Sequence, residues 1–358
     1  MKRVRVMIVD DSAFYRQAIA NILRSSDHLE VVGSVANGSE AIKSLPLLKP
    51  DVITLDLDMP NMDGFTFLRW LMVNQPMPVL VISSHSENNN VFRALEMGAV
   101  DFVAKTTEKA SLDFLRLRDE LVSKIETITM VTGEKLRDLR RIAAKTDMAT
   151  TSSLKGHSEQ KNRKAKTKLD IVVIGASTGG PPAIQAILSR LPQNFLVPIV
   201  IAQHMPARFT HHFAERLNHV TKVEVKEAQS GDVLKTGRVL ICPGGHHLYL
   251  KMVGKKILIH TELRRESDKY VPSVDALMTS AADVFKSKVL GVLLTGMGND
   301  GKLGMKKIKE RGGITIAESE ETAVIFGMPK EAILAGAVDK ILPLLAIADE
   351  MIHQCLAS

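Results

Sequence analysis

Cysteine is nearly absent. Cys242 and Cys355 are the only two in 358 residues and lie far apart, so no disulfide framework is available and a reducing cytoplasm is the expected compartment. Long apolar runs are missing as well. No uncharged, wholly apolar stretch reaches the ~18 residues of a membrane span, and the N-terminal run Val4–Val9 is too short for a secretory leader. A soluble, cytoplasmic protein is expected. Aromatic residues make up 4%, with three Tyr and one Trp, which leaves little for stacking on nucleic-acid bases. The formal charge of +7 would otherwise suggest such a partner, but its location argues against one. Residues 1–123 hold 13 Lys/Arg against 16 Asp/Glu, residues 124–168 hold 12 against 5, and residues 169–358 hold 22 against 19. The excess sits in a stretch rich in Thr, Ser, Lys and Gly without apolar periodicity, which reads as a flexible linker. No nucleic-acid partner is expected.

What is present is a repeated alternation of strand and helix patterns. In the first 110 residues, β-branched runs at Val4–Val9, Val31–Ala36, Val52–Leu55, Val79–Ser83 and Phe102–Ala104 predict strands. Helical patterns such as Ala13–Leu23 and Phe65–Val73 separate them, and another at Leu112–Ile128 closes the set. A second alternation starts near Asp170, with strands predicted at Ile171–Ile174, Pro198–Ala202, Val239–Ile241, Val289–Leu294 and Ile314–Ala317. Helical patterns at Pro182–Arg190, Val274–Phe285 and Leu303–Arg311 lie among them, and Leu248–His260, broken by Gly254, reads as a hairpin. The expected class is α/β: two doubly wound parallel-sheet domains at 1–123 and 169–358, joined by a linker at 124–168.

Three carboxylates of the first half fall at strand ends: Asp10 and Asp11 after the first strand, Asp56 after the third. In a doubly wound sheet those ends line one crevice. Any single Asp there is ordinarily a turn or N-cap residue. Here Ser83 ends the fourth strand and Lys105 follows the fifth, so five polar groups converge on one edge. Clustered carboxylates repel unless a cation joins them, and an oxygen-rich site with open positions suits Mg²⁺. A carboxylate nucleophile, a metal, a lysine and a hydroxyl are what phosphoryl transfer to Asp56 requires.

Val9-Asp10-Asp11-Ser12, Leu55-Asp56-Leu57-Asp58-Met59-Pro60 with Met62-Asp63-Gly64, Ile82-Ser83-Ser84 and Asp101-Phe102-Val103-Ala104-Lys105 closely resemble the motifs of two-component receiver domains, a flavodoxin-like fold. The resemblance implies Asp56 as phospho-acceptor. It implies Asp11, Asp56 and the backbone carbonyl of Asp58 as Mg²⁺ ligands, with Asp10 in the outer shell. Ser83 and Phe102 would be the switch pair, with Lys105 beside them. The family usually has Pro after the lysine; here Thr106 stands there, and a cis bond before a non-proline residue costs about 2.5–4 kcal/mol.

In the second half, a predicted strand runs into Gly175-Ala176-Ser177-Thr178-Gly179-Gly180-Pro181 and then a helical pattern. Ser177 takes the place of the second glycine of a dinucleotide loop, and no lysine follows as in a nucleotide-binding P-loop. G-x-S-x-G, a serine at a sharp strand–helix turn, does match. A serine hydroxyl needs a base. His204 follows the next strand in Gln203-His204-Met205-Pro206, and Asp300 follows a third strand in Thr295-Gly296-Met297-Gly298-Asn299-Asp300-Gly301. Three strand ends in one parallel sheet mean one crevice. His211, His212, His246 and His247 are competing bases or, with Cys242, metal ligands, though no zinc-type spacing supports them. Asp268 and Asp275 are alternative acids that follow no strand.

These three motifs resemble the catalytic domain of the chemotaxis protein-glutamate methylesterases. The order receiver then esterase accounts for the whole chain except the linker. The resemblance implies Ser177 as nucleophile, His204 as base and Asp300 as its partner, with Thr178 and Met297 near the oxyanion site and no cofactor for the esterase. The implied reaction is hydrolysis of chemoreceptor glutamate methyl esters to glutamate and methanol, with deamidation of receptor glutamines, gated by phospho-Asp56. Methyl-accepting receptors would be the substrate, a histidine autokinase the phosphodonor, and contact with the membrane would run only through the receptors. An unphosphorylated receiver covering the crevice is the expected form of control. The rival is a non-enzymatic response regulator whose second domain is a binding module.

Overall fold

A computed structural model describes residues 3–83, 88–105, 111–137 and 169–356. The chain divides into two compact units, Met1–Ala143 and Ala144–Ser358. Thr106 and residues 138–168 of the expected linker lie outside the described residues. Among those described, no helix is long and apolar enough to cross a membrane.

The first unit is a five-stranded parallel sheet with strand order β2-β1-β3-β4-β5. Its strands are β1 (Val4–Val9), β2 (Leu29–Val35), β3 (Val52–Leu55), β4 (Val79–Ser83) and β5 (Asp101–Ala104), alternating with α1 (Ala13–Arg24), α2 (Gly38–Leu48), α3 (Gly64–Asn74), α4 (Asn88–Glu96) and α5 (Ser111–Ile128). β3 and β4 are buried at every residue, as continuous apolar runs covered on both faces must be. Side-chain caps start the helices that flank the crevice. Ser12 accepts from Tyr15 N, and Asp63 accepts from Thr66 N at 2.7 Å. The boundary expected at 123 falls inside α5, and Ile125, Ile128, Val131 and Leu136 beyond it are buried. Apolar residues of the expected linker's first part are therefore packed.

The second unit holds a seven-stranded, wholly parallel sheet in the order β14-β13-β12-β6-β7-β9-β8. The central strands are β6 (Ile171–Ala176), β7 (Ile199–Gln203) and β12 (Val289–Leu293), each buried throughout. β8 (Glu224–Glu227), β9 (Arg238–Ile241), β13 (Ile314–Glu318) and β14 (Lys340–Leu342) complete it, and β10 (His246–Val253) pairs with β11 (Lys256–Leu263) as the expected hairpin. The helices are α6 (Gly180–Arg190), α7 (Ala207–Val220), α8 (Val274–Phe285), α9 (Lys302–Glu310), α10 (Met328–Leu334) and α11 (Leu344–Leu356). From β6 the chain winds one way to β7 and later the other way to β12. The crevice opens where that direction reverses.

Candidate functional sites

In the first unit, Asp10, Asp56 and Lys105 are almost wholly buried, and Asp11 stands at the rim. Lys105 Nζ donates to Asp56 Oδ2 at 2.6 Å and lies 3.0 Å from Asp10 Oδ2. One lysine faces two buried carboxylates. Burial alone would lower the Lys105 ammonium, but the hydrogen bond and charge of Asp56, with the charge of Asp10, outweigh it and raise it. Burial likewise pushes the Asp10 carboxyl up against the pull of Lys105.

Asp10, Asp11 and Asp56 each bring a carboxylate oxygen within 4.8 Å of the others. Asp10 Oδ2 is buried, and the ammonium 3.0 Å from it is the one that Asp56 Oδ2 also holds. A hard divalent cation fits this donor set, since it supplies the positive charge a single lysine does not. Asp58 N lies 3.5 Å from Asp56 Oδ1 and starts the loop that returns through Gly64. A Cβ at Gly64 would strike the Asp56 carbonyl and come within 2.7 Å of Leu57 Cα, so only glycine lets α3 start so close. Ser83 is fully buried, and its carbonyl accepts from Lys105 N at 2.7 Å. Phe102 is buried, with Lys124 Nζ 5.3 Å from its ring centre and donating to its carbonyl at 2.6 Å.

In the second unit, Ser177, His204 and Asp300 leave the ends of β6, β7 and β12, three adjacent strands with β6 in the middle. His204 N bonds Ala176 O at 3.0 Å, which extends the β6–β7 ladder by one rung and seats the histidine beside the serine turn. The buried Gln203 amide donates to the carbonyls of Ser177 (2.9 Å) and His204 (3.0 Å), clasping both turns. Gly179, at φ +77°, caps α6 and closes the G-x-S-x-G turn, with Gly180 N on Ser177 O at 2.8 Å.

His204 Nε2 meets Asp300 Oδ2 at 2.8 Å. A carboxylate only accepts, so Nε2 carries the proton and Nδ1 is the basic nitrogen. Among the described residues Ser177 Oγ has no hydrogen-bond partner; catalytic contacts of this kind commonly tighten only when substrate binds. Asp300 is 2% exposed and also accepts from Val274 N (2.7 Å), Asp275 N (2.8 Å), Gly301 N (3.0 Å) and Ser273 Oγ (3.2 Å). Burial alone would raise its carboxyl. The His204 hydrogen bond and charge and the N–H groups of Asp275 and Val274 outweigh burial and hold it below the usual range. Asp275, the alternative acid, serves the neighbouring helix instead: its Oδ1 accepts from Gly304 N at 2.7 Å in the first turn of α9. The two helix starts thus exchange carboxylates.

Thr178 is buried and its carbonyl accepts from Thr295 Oγ1 at 2.9 Å, whereas Met297 is 41% exposed. Between them Gly296 passes against the serine: a Cβ there would lie 2.7 Å from Ser177 Cβ. Gly296→Ala should therefore lower the rate of hydrolysis on the order of 10- to 100-fold through displacement of Ser177, with about 1–3 kcal/mol of lost stability from overpacking. Methanol release beside thermal unfolding checks both numbers.

The competing histidines are engaged elsewhere. His211 and His212 each lie 3.3 Å from Glu215 on α7, and His247 Nε2 meets Asp268 Oδ2 at 2.8 Å. His247 Nδ1 accepts from Ser273 N at 3.2 Å, at the cap of α8. Among the described residues only the Asp10 cluster could hold a metal, and burial pushes the Cys242 thiol up, away from thiolate. Sequence reasoning missed the roles of Gln203 and Ser273 and, stacked on His204, Tyr270. Ser273 carried a signal, a Ser-x-Asp start before an apolar helix; Tyr270 carried none.

Residues 172–351 match the CheB methylesterase family, and residues 6–114 match the response regulator receiver domain. A protein-glutamate methylesterase/protein-glutamine glutaminase of Geobacter sulfurreducens is 46% identical, over 99% of this chain and 98% of that protein. One of the same description from Archaeoglobus fulgidus is 42% identical, over 98% and 97%. The crystal structure of the Thermotoga maritima CheB methylesterase catalytic domain superposes with a TM-score of 0.50 at 44% identity, covering 52% of this chain and 98% of that one.

Proposed function

Because this chain belongs to the CheB methylesterase family and carries a receiver domain ahead of the catalytic domain, it is a chemotaxis protein-glutamate methylesterase and protein-glutamine glutaminase, and we propose that Ser177, His204 and Asp300 carry its reaction under the control of Asp56. The observation behind this reading is the 2.8 Å His204–Asp300 pair on the strands that flank Ser177.

Ser177 Oγ attacks the carbonyl carbon of a receptor glutamate methyl ester while His204 Nδ1 takes its proton. Nε2–H stays on Asp300, whose charge stabilises the imidazolium. The Cα–Cγ skeleton of the substrate is untouched; the C–OCH₃ bond breaks, and His204 returns the proton to release methanol. Water, deprotonated by the same nitrogen, then cleaves the acyl-serine ester to give glutamate and free Ser177. An amide nitrogen in place of methoxide gives ammonia from glutamine. Backbone around Thr178 and Met297 is the proposed lining of the oxyanion site.

In the receiver, Asp56 takes the phosphoryl group of a kinase phosphodonor. Asp11, Asp56 and the Asp58 carbonyl would hold Mg²⁺, with Asp10 behind them; when bound it neutralises oxygen charge during transfer. Lys105 neutralises the acceptor carboxylate, and Ser83 and Phe102 form the proposed switch. Two buried free cysteines suit a cytoplasmic setting.

Asp300→Ala should cut turnover about 10⁴-fold and cost on the order of 3 kcal/mol, since three backbone N–H groups lose their acceptor. The Asp300 carboxyl is depressed on folding, so its stabilisation is complete above the usual carboxylate range and fades as pH falls through the lowered value. Urea midpoints of variant and wild type should therefore converge in acid. Methanol release from methylated receptor membranes tests the function as a whole; the binding-module alternative predicts none.

A further inference from the structure

The geometry points to Tyr270 as a positioning residue for the catalytic base, a role that rests on the triad reading above. Its ring is stacked on the His204 imidazole, with centres 5.2 Å apart and planes 6° from parallel. Its hydroxyl donates to Asn299 Oδ1 at 3.2 Å, one residue before Asp300. Gly298, at φ +90°, completes the contact, because a Cβ there would collide with the Tyr270 hydroxyl and come within 3.0 Å of its ring. One side chain thus leans on the base and on the loop that carries the base's partner.

The need for such a brace follows from the torsions of histidine. Rotation about its second side-chain bond is broad and roughly two-fold, so the backbone does not fix the ring plane. The Asp300 contact fixes one atom, Nε2, and leaves the imidazole free to pivot about that bond. Nδ1 must nevertheless point at the Ser177 hydroxyl at the moment of attack. A parallel aromatic face removes the pivot by setting the plane, and it favours the ring further once the imidazole becomes cationic. Asp300 therefore sets the tautomer, and Tyr270 sets the plane. The Tyr270–Asn299 hydrogen bond is solvent-exposed and weak, so the ring rather than the hydroxyl carries the effect.

Purified full-length variants Tyr270→Ala and Tyr270→Phe, with His204→Ala as control, separate the possibilities. Tyr270→Ala should lower kcat on the order of 10- to 100-fold, the scale of a misplaced catalytic group, with KM for methylated receptor nearly unchanged. Tyr270→Phe should recover most of kcat. Diethyl pyrocarbonate should modify His204, followed by mass at that residue, several-fold faster in Tyr270→Ala than in wild type or Tyr270→Phe. Wild-type kcat in Tyr270→Ala, or equal losses in the Ala and Phe variants, would overturn the inference. If His204→Ala keeps full turnover, the triad reading itself fails, which is a distinct result.

Discussion

Ser177→Ala removes methanol release, with kcat falling on the order of 10⁴-fold or more, while the protein stays folded. The loss is large because alanine offers no oxygen to attack the ester carbonyl. Ser177 closes the turn between β6 and α6 through backbone bonds alone: its N–H to Thr295 O at 3.0 Å, and its carbonyl to Gly180 N and the Gln203 amide. The side chain holds nothing in place. Removing its oxygen leaves the turn, the His204–Asp300 pair and the glycines of the β12 loop as they are. Thermal unfolding should shift by little, and methanol assayed on the same sample should vanish. Joint loss of fold and activity would mean that the hydroxyl is structural after all.

Asp56→Asn keeps basal hydrolysis and loses its response to a small phosphodonor, so the ratio of stimulated to basal rate falls to about 1 from loss of the carboxylate nucleophile. Removing one partner of a buried ion pair ordinarily costs about 3–5 kcal/mol. Here Lys105 keeps Asp10 at 3.0 Å, and one of three mutually repelling carboxylates disappears. The variant should accordingly fold with a thermal midpoint near that of the wild type. Phosphodonor-dependent methanol release, wild type against variant at one Mg²⁺ concentration, reads the ratio. Stimulation that survives would move the acceptor to another residue.

Much of this was legible in the chain because buried parallel strands are written as short runs dominated by apolar, largely β-branched residues. Val4–Val9, Val52–Leu55 and Val79–Ser83 lie where the runs place them. The elements that escaped are those whose residues do not advertise their role. β8, Glu-Val-Lys-Glu, and β14, Lys-Ile-Leu, are charged edge strands that pair on one side only. α2 begins with glycine and carries Pro46 in its last turns, both poor helix signals. The convergence of Ser177, His204 and Asp300 could be argued from strand ends, because a parallel sheet gathers its C-terminal edges. What surrounds Asp300 could not be. Ser273 to Asp275 come from α8, which reaches the acid only through tertiary packing, and nothing local in the sequence marks the ring of Tyr270 as a neighbour of His204.

The most direct test is to stop turnover of a methylated receptor peptide with acid and weigh the digested enzyme. A glutamyl-peptide adduct on the fragment containing Ser177, absent from His204→Ala treated alike, is the expected result. An adduct on any other side chain, or continued methanol release once Ser177 is replaced, would contradict the account.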